Sequence, residues 1–226
     1  MKEFKRKQLN LTLLLSHTHW DHIQGLPFFA PIYESSCRLR ILGSEGARKG
    51  LVAALTGQMD STYFPIRFSQ LPSNIEIEEL NDFDFSVGAT LVRAQRANHP
   101  GVTVGYRLFS PDGIVVFFPD SEPSQDDHEM IEFARDADVL ILDSQYDAKG
   151  YKKHIGWGHG CVDASVSLAL KADVKKLILF HHDPDHNDRT VDSFVAHARR
   201  LVAKAKSKLK VEAAREGMTI SLGKKK

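Results

Sequence analysis

Leu11-Thr12-Leu13-Leu14-Leu15-Ser16-His17-Thr18-His19-Trp20-Asp21-His22 carries an apolar run directly into three histidines and a carboxylate within six residues. Leu11 to Leu15 reads as a short buried strand. Alternation at the end of a strand throws His17 and His19 to the same side, and Asp21 and His22 then reach a neighbouring position. Imidazole nitrogen and carboxylate oxygen suit zinc, manganese or iron, so the four side chains are candidate metal ligands. A merely solvated loop would not explain why a strand empties into four donors.

Three further donors repeat the pattern downstream. His99 follows the strand-like Thr90 to Ala94 and precedes Pro100-Gly101. Asp120 follows Ile114 to Phe118, and His181 follows Leu177 to Phe180. Each is a ligand type where a strand ends, the edge at which α/β sheets hold their sites. Leu39 to Leu42, Ile75 to Leu80, Val102 to Phe109 and Val139 to Leu142 are the other expected strands. The turn-length gaps between Asn74 and Leu108 suggest an antiparallel meander. Val162, Val166 and Ala169 mark one helical face, and Val191, Phe194, Val195, Ala198, Leu201 and Val202 mark another. A meander followed by alternating strands and helices predicts a layered α/β fold. The segment Thr56 to Pro72, with Tyr63, Phe64 and Phe68, is either a lid or an ordinary packed connection.

Composition narrows the function. The chain has 226 residues, 42% of them hydrophobic, enough for a sizeable core, and it is read as a single domain spanning residues 1–226. A net charge of +1 supplies no global field to gather polyanions. The basic clusters, Lys2 to Lys7 and Lys204 to Lys226, lie at the chain ends and read as solvated termini. Cys37 and Cys161 cannot form a disulfide framework or a Cys-x-x-Cys site, which fits a reducing, cytoplasmic setting. No apolar run approaches membrane length, so no membrane association is expected.

The His-x-His-x-Asp-His run with later His99, Asp120 and His181 resembles the metallo-β-lactamase superfamily. The extension Ile23-Gln24-Gly25-Leu26-Pro27 is more similar to its ribonuclease Z and cyclic-phosphodiesterase branch than to true β-lactamases. The resemblance implies a metallo-β-lactamase αββα sandwich. It also implies two divalent metal ions, zinc first with manganese or iron as alternatives. His17, His19 and His99 would hold one ion, Asp21, His22 and His181 the other, and Asp120 would bridge them. The branch carries a Gly-His-Ser/Thr segment where this chain has Gly158-His159-Gly160, so the hydroxyl is replaced. His159 is a candidate catalytic residue beside a helix amino end. Asp143, closing the Val139 to Leu142 strand, is a candidate acceptor for a ligand imidazole, and His182 is a neighbour able to exchange roles with His181. His128, His154, His186 and His197 are read as ordinary.

Relatives in this branch place several strands before the histidine run, whereas about fifteen residues stand there in this sequence. The amino-terminal sheet is therefore expected to lack its first strands, with a homo-oligomer as one means of covering it. The expected activity is hydrolysis of a small or cyclic phosphodiester by a hydroxide bound to the metal pair, with Asp21, His159 and Asp143 as the catalytic residues. Without a Gly/Pro-rich arm or a basic groove, transfer RNA is disfavoured as a partner. Carbonyl-substrate hydrolysis (thioesterase, glyoxalase-like or lactamase) and a non-catalytic metal-binding fragment are the rival readings. A diiron oxidoreductase fits less well, because that branch has Glu where His19 stands.

Overall fold

The computed structural model describes residues 8–44, 48–124 and 126–223, so the Lys2 to Lys7 cluster and Lys224 to Lys226 fall outside it. The chain divides into two compact units, Met1–Asp82 and Phe83–Lys226, each with its own core.

The first unit is built on a three-stranded parallel sheet of β1 (Leu9–Leu14), β2 (Cys37–Gly43) and β3 (Asn74–Glu79), in that order. Period-two alternation sets its inner face: Cys37, Leu39 and Ile41 are buried while Arg38 and Arg40 are exposed. Ile77 on β3 joins the same core. On the outer face Arg40 donates two hydrogen bonds to Glu78, at 2.8 and 2.7 Å. The short α1 (Trp20–Ile23) follows the histidine run, and α2 (Arg48–Gly57) contributes Leu51 and Leu55 to the core. Within the Thr56 to Pro72 segment Met59 is buried, Tyr63 is exposed, and Phe64 meets the Phe28 ring edge-on at 5.6 Å.

The second unit holds a seven-stranded mixed sheet. Its strands are β4 (Asp84–Val87), β5 (Thr90–Arg96), β6 (Val104–Ser110), β7 (Gly113–Phe118), β8 (Val139–Asp143), β9 (Lys176–Phe180) and β10 (Lys210–Ala213), in the order β10-β9-β8-β7-β6-β5-β4. β4 to β7 form the antiparallel meander and β7 to β10 run parallel. The meander thus begins at Asp84, not at Asn74 as expected from the sequence. β3 instead pairs with β2, because its Ile-Glu-Ile alternation completes the other core. Between the parallel strands come α3 (His128–Ala134), α4 (Ala148–Tyr151), α5 (Val162–Lys171) and α6 (Asp188–Lys204).

The caps explain where these helices start. Asp127 accepts from Met130 N at 3.0 Å, and Asn187 accepts from Thr190 N at 3.1 Å. α6 buries Phe194, Val195, Ala198 and Val202, the stripe expected from its periodicity. With Val166, Leu168, Leu140 and Leu177 these side chains make the core beneath the sheet.

Both cysteines are free and buried. Among the described residues, no helix is long and apolar enough to cross a membrane.

Candidate metal and catalytic site

In the first unit, Leu15 ends the apolar run and Ser16 and His17 follow it, all three buried. Ser16 Oγ lies 3.1 Å from His17 Nδ1 and helps fix that ring. The imidazoles converge: His17 is 4.5 Å from His19 and 4.3 Å from His22 between ring centroids. Asp21 Oδ2 approaches His22 Nε2 to 3.1 Å. Three imidazoles this close repel one another if protonated, and as neutral rings they present the nitrogen lone pairs that a cation needs.

In the second unit, the expected donors stand along one edge of the sheet. Asp120 follows β7, Asp143 is the last residue of β8, and His181 follows β9; these are three adjacent parallel strands. β5 runs in the same direction as β7, since each is antiparallel to β6, and so His99 arrives at that edge as well. His99 Nε2 lies 3.9 Å and His181 Nε2 3.4 Å from Asp120 Oδ2. The side chains of His99 and Asp120 are only 1% and 2% exposed. Asp120, His159 and His181 each offer a ligand atom within 4.8 Å of the others. Donors of this type, with His17, His99 and Asp120 buried and the others nearer the surface, fit a divalent metal.

His181 has φ 56°, a left-handed backbone that is unusual for a residue with a side chain. Such strain is tolerated where the surroundings fix it, and here it turns the chain sharply at the end of β9. His182 is in none of the donor clusters found among the described residues.

Asp143 is fully buried, and its Oδ2 accepts from His159 Nδ1 at 2.8 Å and from Ser121 N at 3.2 Å. Its Oδ1 accepts from Gln145 N at 3.0 Å. Burial pushes this carboxyl upward, opposed chiefly by the bond from His159. The imidazole that Asp143 holds is therefore that of His159, not one of the seven expected ligands. The His159 ring stacks on His181 at 4.8 Å and meets His99 edge-on at 5.2 Å. With Nδ1 turned to Asp143, Nε2 points away from the carboxylate. α5 starts at Cys161 without a side-chain cap.

Glu122 was not foreseen. Its buried carboxylate accepts from Tyr151 Oη at 2.9 Å, from Gly156 N at 2.9 and 3.0 Å, and from Gly158 N at 2.9 Å. Gly158 O in turn lies 2.9 Å from His99 Nδ1, orienting that ring. Gly158 has φ 87°, and a Cβ there would overlap His99 Nδ1 and Pro100 Cδ, so only glycine fits. A glutamate after Asp-Ser carries no local signature that would have exposed this role. The histidines read as ordinary stand outside the donor clusters: His197 pairs with Asp163 at 3.1 Å, and His154 stacks on Tyr146.

Sheet-edge donors of this kind, in an α/β chain of this topology, define a metallo-β-lactamase-type protein. The family model described as a beta-lactamase superfamily domain matches residues 6–182, and the chain belongs to that superfamily, with Ribonuclease Z among its relatives. Ribonuclease Z of Picrophilus torridus is 38% identical over 78 residues, covering 34% of this chain and 24% of that protein. The metallo-beta-lactamase fold protein YhfI from Bacillus subtilis is similar with a TM-score of 0.65 at 19% identity, over 92% of this chain and 76% of its own. Human tRNase Z, short form, gives a TM-score of 0.64 at 18% identity, over 93% and 78%. These likenesses carry the αββα fold expected from the histidine run. They also weaken the expectation that transfer RNA is not a partner.

Proposed function

We propose that this protein is a metal-dependent phosphodiesterase acting on a small phosphodiester, with His17, His19, Asp21, His22, His99, Asp120 and His181 as ligands of two divalent ions, zinc first. The ligand assignment rests on donor chemistry and on membership of the superfamily. When bound, such ions supply Lewis acidity toward phosphoryl oxygens and lower the pKa of a coordinated water. The residues 1–226 would then act as one functional domain, in a reducing compartment that suits two buried free thiols.

One observation carries the choice of phosphodiester over carbonyl chemistry: the His159 imidazole held by buried Asp143 at 2.8 Å. In an alkyl phosphodiester the ester oxygen whose bond to phosphorus breaks departs as an alkoxide, which needs a proton, and an imidazole fixed through Nδ1 presents Nε2 for that delivery or for a hydrogen bond to the phosphoryl group. Asp143 keeps the ring in this tautomer. Asp21, beside His22, completes the polar face of the first unit.

The test is hydrolysis of bis(p-nitrophenyl) phosphate by protein of measured metal content, before and after zinc or manganese addition, alongside His19→Ala. Turnover that depends on metal and disappears in the variant is the expected result. Two bound ions without turnover would move the assignment to thioester or lactam substrates. A second reading, action on RNA, is favoured by the name of the Picrophilus torridus relative, and a precursor transfer RNA with a 3′ extension tests it in the same assay.

A further inference from the structure

The loop between α4 and α5 carries a large apolar side chain where burial would be expected. Trp157 is 61% exposed, although an indole gains more from burial than almost any other side chain. It is not loosely placed. The residues on either side, Gly156 and Gly158, both have positive φ, and both donate their N–H groups to the buried Glu122 carboxylate. Trp157 N also donates to His154 O at 3.0 Å.

The indole also heads a continuous series of rings. Trp157 meets His154 edge-on at 4.7 Å, His154 lies flat on Tyr146 at 4.5 Å, and Tyr146 meets His159 at 6.5 Å. His159 in turn contacts His99 and His181. Gly158 alone stands between Trp157 and His159, which limits their backbone separation to about 7 Å. An exposed aromatic face is thus held in a fixed position within reach of the proposed phosphoryl site. Lys152 and Lys153, exposed on the same loop, add positive charge suited to an anionic ligand.

We propose that Trp157 is a specificity-determining residue whose indole stacks on an aromatic base of the substrate, making the substrate class nucleoside phosphodiesters. The inference rests on the phosphodiesterase reading for its chemistry, but base binding can be measured without turnover. Because the glycine clamp fixes the peptide on either side of Trp157 and the indole rests against His154, little freedom is lost on stacking. Stacking of one base on an aromatic side chain corresponds to roughly a 5- to 150-fold effect.

The experiment compares thymidine 5′-(p-nitrophenyl phosphate) with methyl p-nitrophenyl phosphate, which share a leaving group and differ in the nucleoside. In Trp157→Ala the ratio of kcat/KM for the two esters is expected to fall by roughly 5- to 150-fold, chiefly through KM, and Trp157→Phe to restore most of it. An unchanged ratio, or a phenylalanine no better than alanine, overturns the proposal. Trp20 and Trp157 are the two tryptophans, so Trp20→Phe leaves one reporter indole. Thymidine 5′-monophosphate should quench its emission and ribose 5-phosphate should not; equal response to both also counts against stacking. Quenching by the nucleotide with no turnover of either ester would sink the phosphodiesterase reading and the substrate class with it, and would leave Trp157 as the base-stacking residue of a nucleotide-binding site.

Discussion

Asp143 Oδ2 lies 2.8 Å from His159 Nδ1, tying the carboxyl end of β8 to the loop that precedes α5. The carboxylate is fully buried and also accepts from two backbone N–H groups, so it has one orientation to offer the ring. His159→Ala should lower kcat by about 10²- to 10⁴-fold, the range for a lost general acid. Asp143→Asn should lower kcat less while KM stays within a few-fold, because the ring remains but its tautomer is no longer set. Steady-state kinetics on a diester whose leaving group is an alkoxide checks both, through the fall in kcat in the first variant and the split between kcat and KM in the second.

Gly158→Ala should impair the site from a distance. The new Cβ would sit against His99 Nδ1 in a backbone region that alanine adopts only with strain. The cost is about 1–3 kcal/mol, and it is expressed as a displaced His99. Metal titration followed by isothermal calorimetry should find weaker binding than in the parent protein. Equal affinity would mean that the loop yields without moving the ligand.

Removing the Glu122 carboxylate strands three donors, the N–H groups of Gly156 and Gly158 and the Tyr151 hydroxyl. At about 1 kcal/mol or more apiece, Glu122→Ala should cost about 3 kcal/mol and lower Tm by roughly 6–12 °C. Burial, helped by the bond to this carboxylate, raises the Tyr151 phenol to about 12, so ultraviolet titration of the variant should find a tyrosine that ionises somewhat earlier. Differential scanning calorimetry reads the first effect. An unaltered Tm would assign the loop's order to other contacts.

Asp138 accepts from Lys175 Nζ at 2.6 Å and from Ile114 N at 2.8 Å, which hold its carboxyl below the usual range. A depressed folded-state pKa contributes stability that is present above the unfolded value and lost as pH falls through the folded one. Asp138→Asn should therefore cost about 1 kcal/mol at pH 7, and the two proteins should begin to converge only as pH falls below about 4. Urea denaturation at both pH values gives the comparison.

The donors were legible because chemistry and position coincide in the sequence: an apolar strand followed at once by His, Asp or His needs no tertiary information. The partnership of Asp143 with His159 was not, since the two lie 16 residues apart and meet only when β8 and the α5 loop are in place. β3 was assigned to the wrong neighbours for a similar reason. Its alternation fits a strand in either sheet, and the Asn81-Asp82 gap after it looks like every other turn in the meander. β4, only four residues long, has too few apolar positions to announce itself. Glu122 was invisible because its role is to accept backbone N–H groups, which every residue but proline carries.

The clamp at Glu122 separates what the loop displays from what holds it up. Its grip is on peptide groups at Gly156 and Gly158, while the side chains of Lys152, Lys153, Ile155 and Trp157 face outward and contribute nothing to it. Those four positions can therefore be rewritten, by drift or by design, with the underlying scaffold left as it stands. A lineage that retained the glutamate and the two glycines could change which molecules it selects without having to rebuild the chemistry next door.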